Sequence, residues 1–194
     1  MGGLAERPLA ELLEDVAAPS PAPGGGCGAG WTCALGAGLV EMTAAFTLAH
    51  SEHVGRHERM TQIAARAGSL RLQATQLAER EQDSYAPVLA ALRLTDDDPA
   101  RAGAVDDALS QAAEIPLALA RVAVEVAVLA LEASRTGTRH LRGDALVGLL
   151  LAEGACQAAA QLVRINLAQR PHDERCRELA ELTERAAAVR AEVL

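Results

Sequence analysis

The sequence predicts an all-α protein, a bundle of about five to six long helices, and three observations carry that prediction. Half of the 194 residues are hydrophobic, yet only Trp31, Phe46 and Tyr85 are aromatic, so the core is built from Ala, Leu and Val. Ala and Leu are strong helix formers, whereas sheets favour β-branched and aromatic residues. Apolar residues recur at helical spacing along most of the chain, and no alternating strand pattern is found. The mean hydropathy is positive (+0.09) although 23% of residues are charged. Helices apolar over most of their circumference have to be buried on several sides, which predicts a homodimer joined through apolar helix faces.

The first helix is predicted over residues 4–16, with Leu9, Leu12, Leu13 and Val16 on one face. The run Pro19-Ser20-Pro21-Ala22-Pro23-Gly24-Gly25-Gly26 ends it, because alternate prolines hold the backbone extended and three glycines permit a turn. A long second helix is predicted over 27–53. It contains Gly28, Gly30, Gly36 and Gly38, each about 1 kcal/mol less favourable in a helix than Ala, and close approach of a neighbouring helix would explain them. That approach fits a tightly packed bundle or a dimer interface, and with the excess hydrophobicity it reads as a dimer interface. A third helix spans 56–92 with a kink at Pro87, followed by the loop Thr95-Asp96-Asp97-Asp98-Pro99. A fourth covers 104–134, bent or interrupted at Pro116. A basic loop over 135–143 precedes a fifth helix from Asp144 to about residue 168, and a charged last helix follows Pro171-His172-Asp173. One domain over residues 1–194 is expected, without an internal repeat or linker.

Composition narrows the function classes. A net charge of −8 argues against a nucleic-acid partner, which needs a basic surface. All eighteen basic side chains are Arg, so lysine-based chemistry (Schiff base, P-loop, Ser–Lys dyad) is excluded. Glu41, Arg121, Glu125 and Glu153 interrupt the apolar runs, so no membrane span is expected, and the N-terminus does not read as a secretory signal. Cys27, Cys33, Cys156 and Cys176 show no metal-binding spacing and read as buried free thiols of a cytoplasmic protein.

Several groups of residues could form a site. The glycines at 24–26, at a helix start, present either an anion- or carbonyl-binding set of N–H groups or simply a connector. Asp144 reads either as a helix cap or as a general base. Arg135, Arg139, His140 and Arg142 suggest an anionic ligand, a carboxylate across an interface, or a solvated loop. His50, His53 and His57 share a helical face, but no accompanying ligand pair points to a metal, and none is expected. Arg164 and Asn166, the latter the one Asn in the chain, read as a satisfied hydrogen-bonded pair or as the lining of a pocket.

Taken in order, these motifs resemble one family. Ser20-Pro21-Ala22-Pro23-Gly24-Gly25-Gly26 is similar to the SPTPGGG loop of the cyclodeaminase domain of formiminotransferase-cyclodeaminase, a domain that occurs alone in bacterial methenyltetrahydrofolate cyclohydrolases. Glu81-Gln82-Asp83-Ser84-Tyr85 is similar to the family's Asp-x-x-x-Phe, and Glu114-Ile115-Pro116-Leu117 to its E-[VI]-P-L. Residues Gly137 to Asp144 are similar to G-N-x-x-x-x-S-D, and Val163-Arg164-Ile165-Asn166-Leu167 to N-V-R-I-N-L. The resemblance implies an all-helical dimer acting on a one-carbon adduct of tetrahydrofolate, the substrate's carrier. It would interconvert 5,10-methenyl- and 10-formyl-tetrahydrofolate, or form the methenyl compound from 5-formimino-tetrahydrofolate with release of ammonia.

The family's essential Asp falls on Asp144. Substrate contacts are implied at Ser20, Gly24, Gly25, Gly26, Thr138, His140, Arg164 and Asn166, and the helix starts after the two irregular loops are expected to build a pocket. The sequence departs from the family at Thr138, Gly143, Leu162 and Glu81, which leaves open a changed substrate, another small anionic heterocycle, or a ligand-binding helical dimer without catalysis.

Overall fold

The apolar segments fold into four central helices, with shorter helices around them. The computed structural model describes residues 6–49 and 55–193. In chain order the helices are α1 (Leu9–Ala17), α2 (Gly25–Leu48), α3 (His57–Ser84), α4 (Ala86–Leu92), α5 (Arg101–Ala112), α6 (Glu114–Thr136), α7 (Arg142–Asn166) and α8 (Glu174–Ala191), with a 3-10 turn at Arg139–Leu141. No strand occurs among the described residues. Helices α2, α3, α6 and α7 form the bundle, with α2 and α6 each packed on the other three; α8 packs on α6 and α7, and α4 pairs with α5.

The predicted third and fourth helices are each divided in two, close to the prolines that were expected to bend them. The breaks fall at Tyr85 and Ala113, two or three residues before Pro87 and Pro116. A proline is tolerated in the first turn of a helix, where its missing N–H has no intrahelical partner, so each proline starts a new helix instead of kinking an old one. The second helix also begins earlier than expected. Gly24 is its extended N-cap, and Gly25 and Gly26 already lie in its first turn. The predicted apolar face of α1 is only partly used, since Leu12 is buried while Leu9, Leu13 and Val16 remain exposed.

Small side chains let the bundle close tightly. Ala37, Ala44, Ala74, Ala120, Ala127, Ala152 and Ala159 are completely buried, and such small side chains permit close approach of helix backbones. The glycines of α2 contribute unequally, and within the chain. A Cβ at Gly30 would sit 2.7 Å from the Ala78 Cβ on α3, and one at Gly36 would sit 2.8 Å from the Gly148 carbonyl oxygen on α7. Gly28 faces open space, and a Cβ at Gly38 would make an ordinary contact with Arg71. Gly30 and Gly36 therefore close the protomer's own bundle, the first of the two readings their spacing allowed, and are not part of a dimer face.

By length and composition, two helical stretches, Gly25–Leu48 and Arg139–Asn166, are long and apolar enough to cross a membrane. Each carries the charge expected to interrupt it, Glu41 in the first and Glu153 in the second, among Ala, Leu, Val and Gly. Both belong to the central bundle, and the core helices of soluble proteins pass the same test. Glu41, one of those charges, is accommodated locally. It accepts a hydrogen bond from Arg71 Nε at 2.8 Å, and the absence of a side chain at Gly68 gives its carboxylate room against α3.

Candidate functional site

Helices α2 and α7 run antiparallel, and this decides where the candidate residues lie. Gly36 meets Gly148 and Ala152, Val40 meets Gly148, and Thr43 and Thr47 meet Gly137 just before α7. Asp144 is thus four residues on one side of the Gly36–Gly148 crossing, while Gly26 is ten residues on the other. At 1.5 Å per residue the two are about 20 Å apart along the bundle. The expectation that the helix starts after the two irregular loops share one pocket does not hold within a single protomer. The structure makes two clusters, one at each end of α2.

At the first end stand the glycine loop and Glu81. Ser20 Oγ donates to the Ala22 carbonyl at 2.9 Å, which closes the local turn, and Gly24 leads into α2. Gly26 is buried directly against Glu81, whose carboxyl group a Cβ at position 26 would overlap. Glu81 Oε2 is buried without a hydrogen-bond partner. Burial pushes the pKa of this carboxyl up, with only a partial offset from Ser84. The neighbouring Cys27 Sγ donates to the Ala78 carbonyl at 3.2 Å, and its thiol pKa is pushed up chiefly by burial. Near the same end of α7, Arg164 is exposed and Asn166 half-buried. Neither forms a side-chain hydrogen bond among the described residues, so the reading of a satisfied buried hydrogen bond is corrected: Arg164 and Ile165 turn outward while Val163 and Leu167 are buried.

At the opposite end stands Asp144. It is not the cap of α7. Leu141 occupies that position without a side-chain bond, and Asp144 is the third residue of the helix. The capping reading fails because the helix begins two residues earlier than the sequence suggested. Asp144 is half-buried, and its carboxylate forms no hydrogen bond or ion pair among the described residues. An acidic group in a first turn is favoured by the helix dipole, and this one is left free to act on a ligand.

Thr138 is 7% exposed, and its backbone N–H donates to Thr47 Oγ1 at 3.0 Å. It anchors the loop to α2 instead of lining an open surface. Arg139, His140 and Arg142 are exposed. Of the three histidines considered for a metal, His50 and His53 lie outside the described residues.

Cys27, Cys33 and Cys156 are buried free thiols, and Cys176 is half-buried. Cys33 and Cys156 are pushed up to about 12 and about 11, mainly by burial, so they fill the α2–α7 contact as apolar groups. Sequence reasoning missed the seating of Glu81 against Gly26. The available signal was a glycine run at a helix start and a carboxylate on another helix, but nothing in the spacing of residues 26 and 81 pairs them.

Comparison with known proteins places this geometry in context. Residues 8–185 match the family model described as formiminotransferase-cyclodeaminase. The chain is 31% identical over 159 residues to a methenyltetrahydrofolate cyclohydrolase of Methylorubrum extorquens, covering 80% of this chain and 76% of that protein. It is also 31% identical over 170 residues to the formimidoyltransferase-cyclodeaminase of Sus scrofa. That match covers 84% of this chain and 31% of the pig protein's length. Among solved structures, the formiminotetrahydrofolate cyclodeaminase of Thermotoga maritima superposes with a TM-score of 0.84 over 97% of this chain and 92% of that one, at 24% identity, and so shares the fold.

Proposed function

Because the chain belongs to the formiminotransferase-cyclodeaminase family, we propose that it opens or closes the imidazolinium ring of 5,10-methenyl-tetrahydrofolate with Asp144 as its acid–base residue. The observation that carries this reading is the uncommitted Asp144 carboxylate, held in the first turn of α7 with no structural partner among the described residues. A carboxylate so placed offsets the positive charge of an amidinium carbon, and it takes and returns a proton as that carbon changes from planar to tetrahedral and back.

In the cyclohydrolase direction, water attacks the carbon between N5 and N10 while Asp144 accepts a water proton. The carbon–N5 bond then breaks as Asp144 returns that proton to N5. The carbinol proton leaves to solvent, and 10-formyl-tetrahydrofolate remains. In the cyclodeaminase direction, N10 attacks the formiminium carbon, Asp144 moves the N10 proton to the departing nitrogen, and ammonia leaves the methenyl ring behind. Relatives named for each reaction are equally identical to this chain, at 31%.

The separation of Asp144 from the glycine loop favours a site completed by a second copy. Leu35 and Met42 on α2 and Val147 and Leu150 on α7 are 42–61% exposed, an apolar display on two neighbouring central helices. A homodimer built through these faces, with its two-fold axis perpendicular to the helices, sets the Asp144 end of one protomer beside the glycine loop and Glu81 of the other.

The test follows the ultraviolet absorbance of 5,10-methenyl-tetrahydrofolate and, separately, ammonia release from the 5-formimino compound. Asp144→Asn is expected to lower the rate by about 10²–10⁴-fold, the usual contribution of a positioned acid–base group. If neither substrate turns over above its uncatalysed rate, the reading fails. In that case another small anionic heterocycle becomes the better candidate, in keeping with the exposed Arg139, His140 and Arg142 of the loop.

A further inference from the structure

The junction of α6 with α7 gathers more positive charge than the described residues around it neutralise. Arg56, Arg135, Arg139 and Arg142 line an open cavity of about 510 Å³ together with Ser134 and Gly137. They come from four places: the residue before α3, the last turn of α6, the 3-10 turn, and the first residue of α7. Two are fixed by the fold. Arg56 Nη1 donates to the Thr136 carbonyl at 2.9 Å, over the C-terminal end of α6, and Arg135 Nη2 donates to Glu192 Oε2 at 2.7 Å. The other two, Arg139 and Arg142, form no hydrogen bond or ion pair among the described residues.

Two other cavities show what an ordinary Arg-lined groove looks like in this protein. The groove of about 390 Å³ between α3 and α6 holds Arg66, Arg80 and Arg121, but also Glu125, which pairs with Arg66. The groove of about 410 Å³ beside α8 holds Arg121, Arg175 and Arg177, but also Glu114, Glu174 and Glu178. Among the described residues, the lining of the α6–α7 cavity contains no carboxylate. Asp144, two residues beyond Arg142, is not part of it, and among the described residues Glu192 is the one carboxylate that pairs with a lining residue.

We propose that this cavity binds a small polyanion, one carrying two or more carboxylate or phosphate groups, with Arg139 and Arg142 as its movable clamps and Arg56 and Arg135 as its fixed wall. Guanidinium forks match the paired oxygens of such groups, and the N-terminus of α7, which no side chain caps, adds its positive end. The volume lies within the range of small-molecule sites, about 300–1,000 Å³. The inference does not rest on the folate reading, because it assigns a binding site by charge and needs no reaction.

The experiment titrates the full chain with inorganic pyrophosphate and, in parallel, with citrate, by calorimetry at low ionic strength. Saturable one-to-one binding of either probe is expected. Its dissociation constant should rise at least tenfold in Arg139→Gln/Arg142→Gln and stay unchanged in Arg80→Gln, whose side chain lines the α3–α6 groove. Binding of pyrophosphate alone assigns the site to phosphates, binding of citrate alone to carboxylates, and both outcomes support it. Arg139 and Arg142 are exposed and unbonded, so an unchanged melting temperature certifies the fold of the double variant. No saturable binding of either probe, or binding that the double variant leaves intact, overturns the proposal. So does a double variant that loses self-association in sedimentation while keeping its affinity, which would assign these arginines to a carboxylate of a second copy.

Discussion

Glu81 and Gly26 depend on each other. The carboxyl group occupies the space a side chain at position 26 would need, and one of its oxygens is buried without a partner. Where the family motif carries Asp, this chain has the longer Glu, so the carboxyl extends one methylene farther toward the start of α2. Burial raises its pKa, and the folded state therefore holds the proton more tightly than the unfolded state. The group destabilises the fold as pH rises from the ordinary carboxylate value through its raised folded value, and does not do so below that window. Glu81→Gln, which keeps the shape and removes the titration, is expected to raise the melting temperature near pH 7 and to lose that advantage by about pH 4. A difference that stays constant over this range would mean the carboxyl's ionisation is not the source.

At the scale of elements, α8 buries an apolar face and is tied to its neighbours by ion pairs, the densest of them at its start, with Arg121–Glu178 and Arg135–Glu192 farther along. Leu179, Ala186 and Val189 are buried in the bundle. At its start, Asp173 caps the helix by accepting from the Arg175 N–H at 3.0 Å. The Arg175 side chain then reaches Asp173, Glu114 at the start of α6, and both the carbonyl and hydroxyl oxygens of Ser110 on α5. Arg170 adds bonds to Asp106, Asp107 and the same Ser110 hydroxyl. One guanidinium thus ties three helices together. Arg175→Gln is expected to destabilise the protein by about 1–3 kcal/mol, the range for hydrogen bonds to charged groups, read as a fall of several degrees in the thermal midpoint. The Arg175 guanidinium holds Asp173 down to about 2. A depressed carboxylate stabilises above its unfolded pKa, so this contribution is full above about pH 4 and is lost as pH falls toward 2. Acid titrations of wild type and Arg175→Gln should converge over that interval.

The whole molecule leaves less than half of each of its two most apolar stretches, on α2 and α7, covered by its own chain. Exposed Leu, Met and Val on central helices favour a second copy, and the separation of the two candidate clusters favours the same arrangement. Leu35→Glu/Val147→Glu is expected to turn a sedimenting dimer into a monomer and to abolish turnover with it. In a mixture of Asp144→Asn with Arg164→Gln/Asn166→Ala, each inactive alone, half of the randomly assorted dimers carry one intact shared site. About a quarter of the wild-type activity should then return. No recovery, in a mixture shown to exchange subunits, would place the site within one protomer.

The sequence by itself determined the helical class, the order of the helices, the breaks near Pro87 and Pro116, the burial of Cys27, Cys33 and Cys156 though not of Cys176, and the family whose motifs run from Ser20 to Leu167. These are local or additive properties: propensity, apolar period, the proline ring, and short runs of residues in a fixed order. Only the tertiary structure decided which glycines close the bundle, how Glu41 is accommodated, and that Asp144 caps nothing. It also decided that Glu81 fills the space over Gly26, and that the glycine loop and Asp144 stand at opposite ends of α2. Each of these depends on the relative direction and register of packed helices. Residues 36 and 148 meet because α2 and α7 run antiparallel at close range, a relation between distant segments that no periodicity within either helix records.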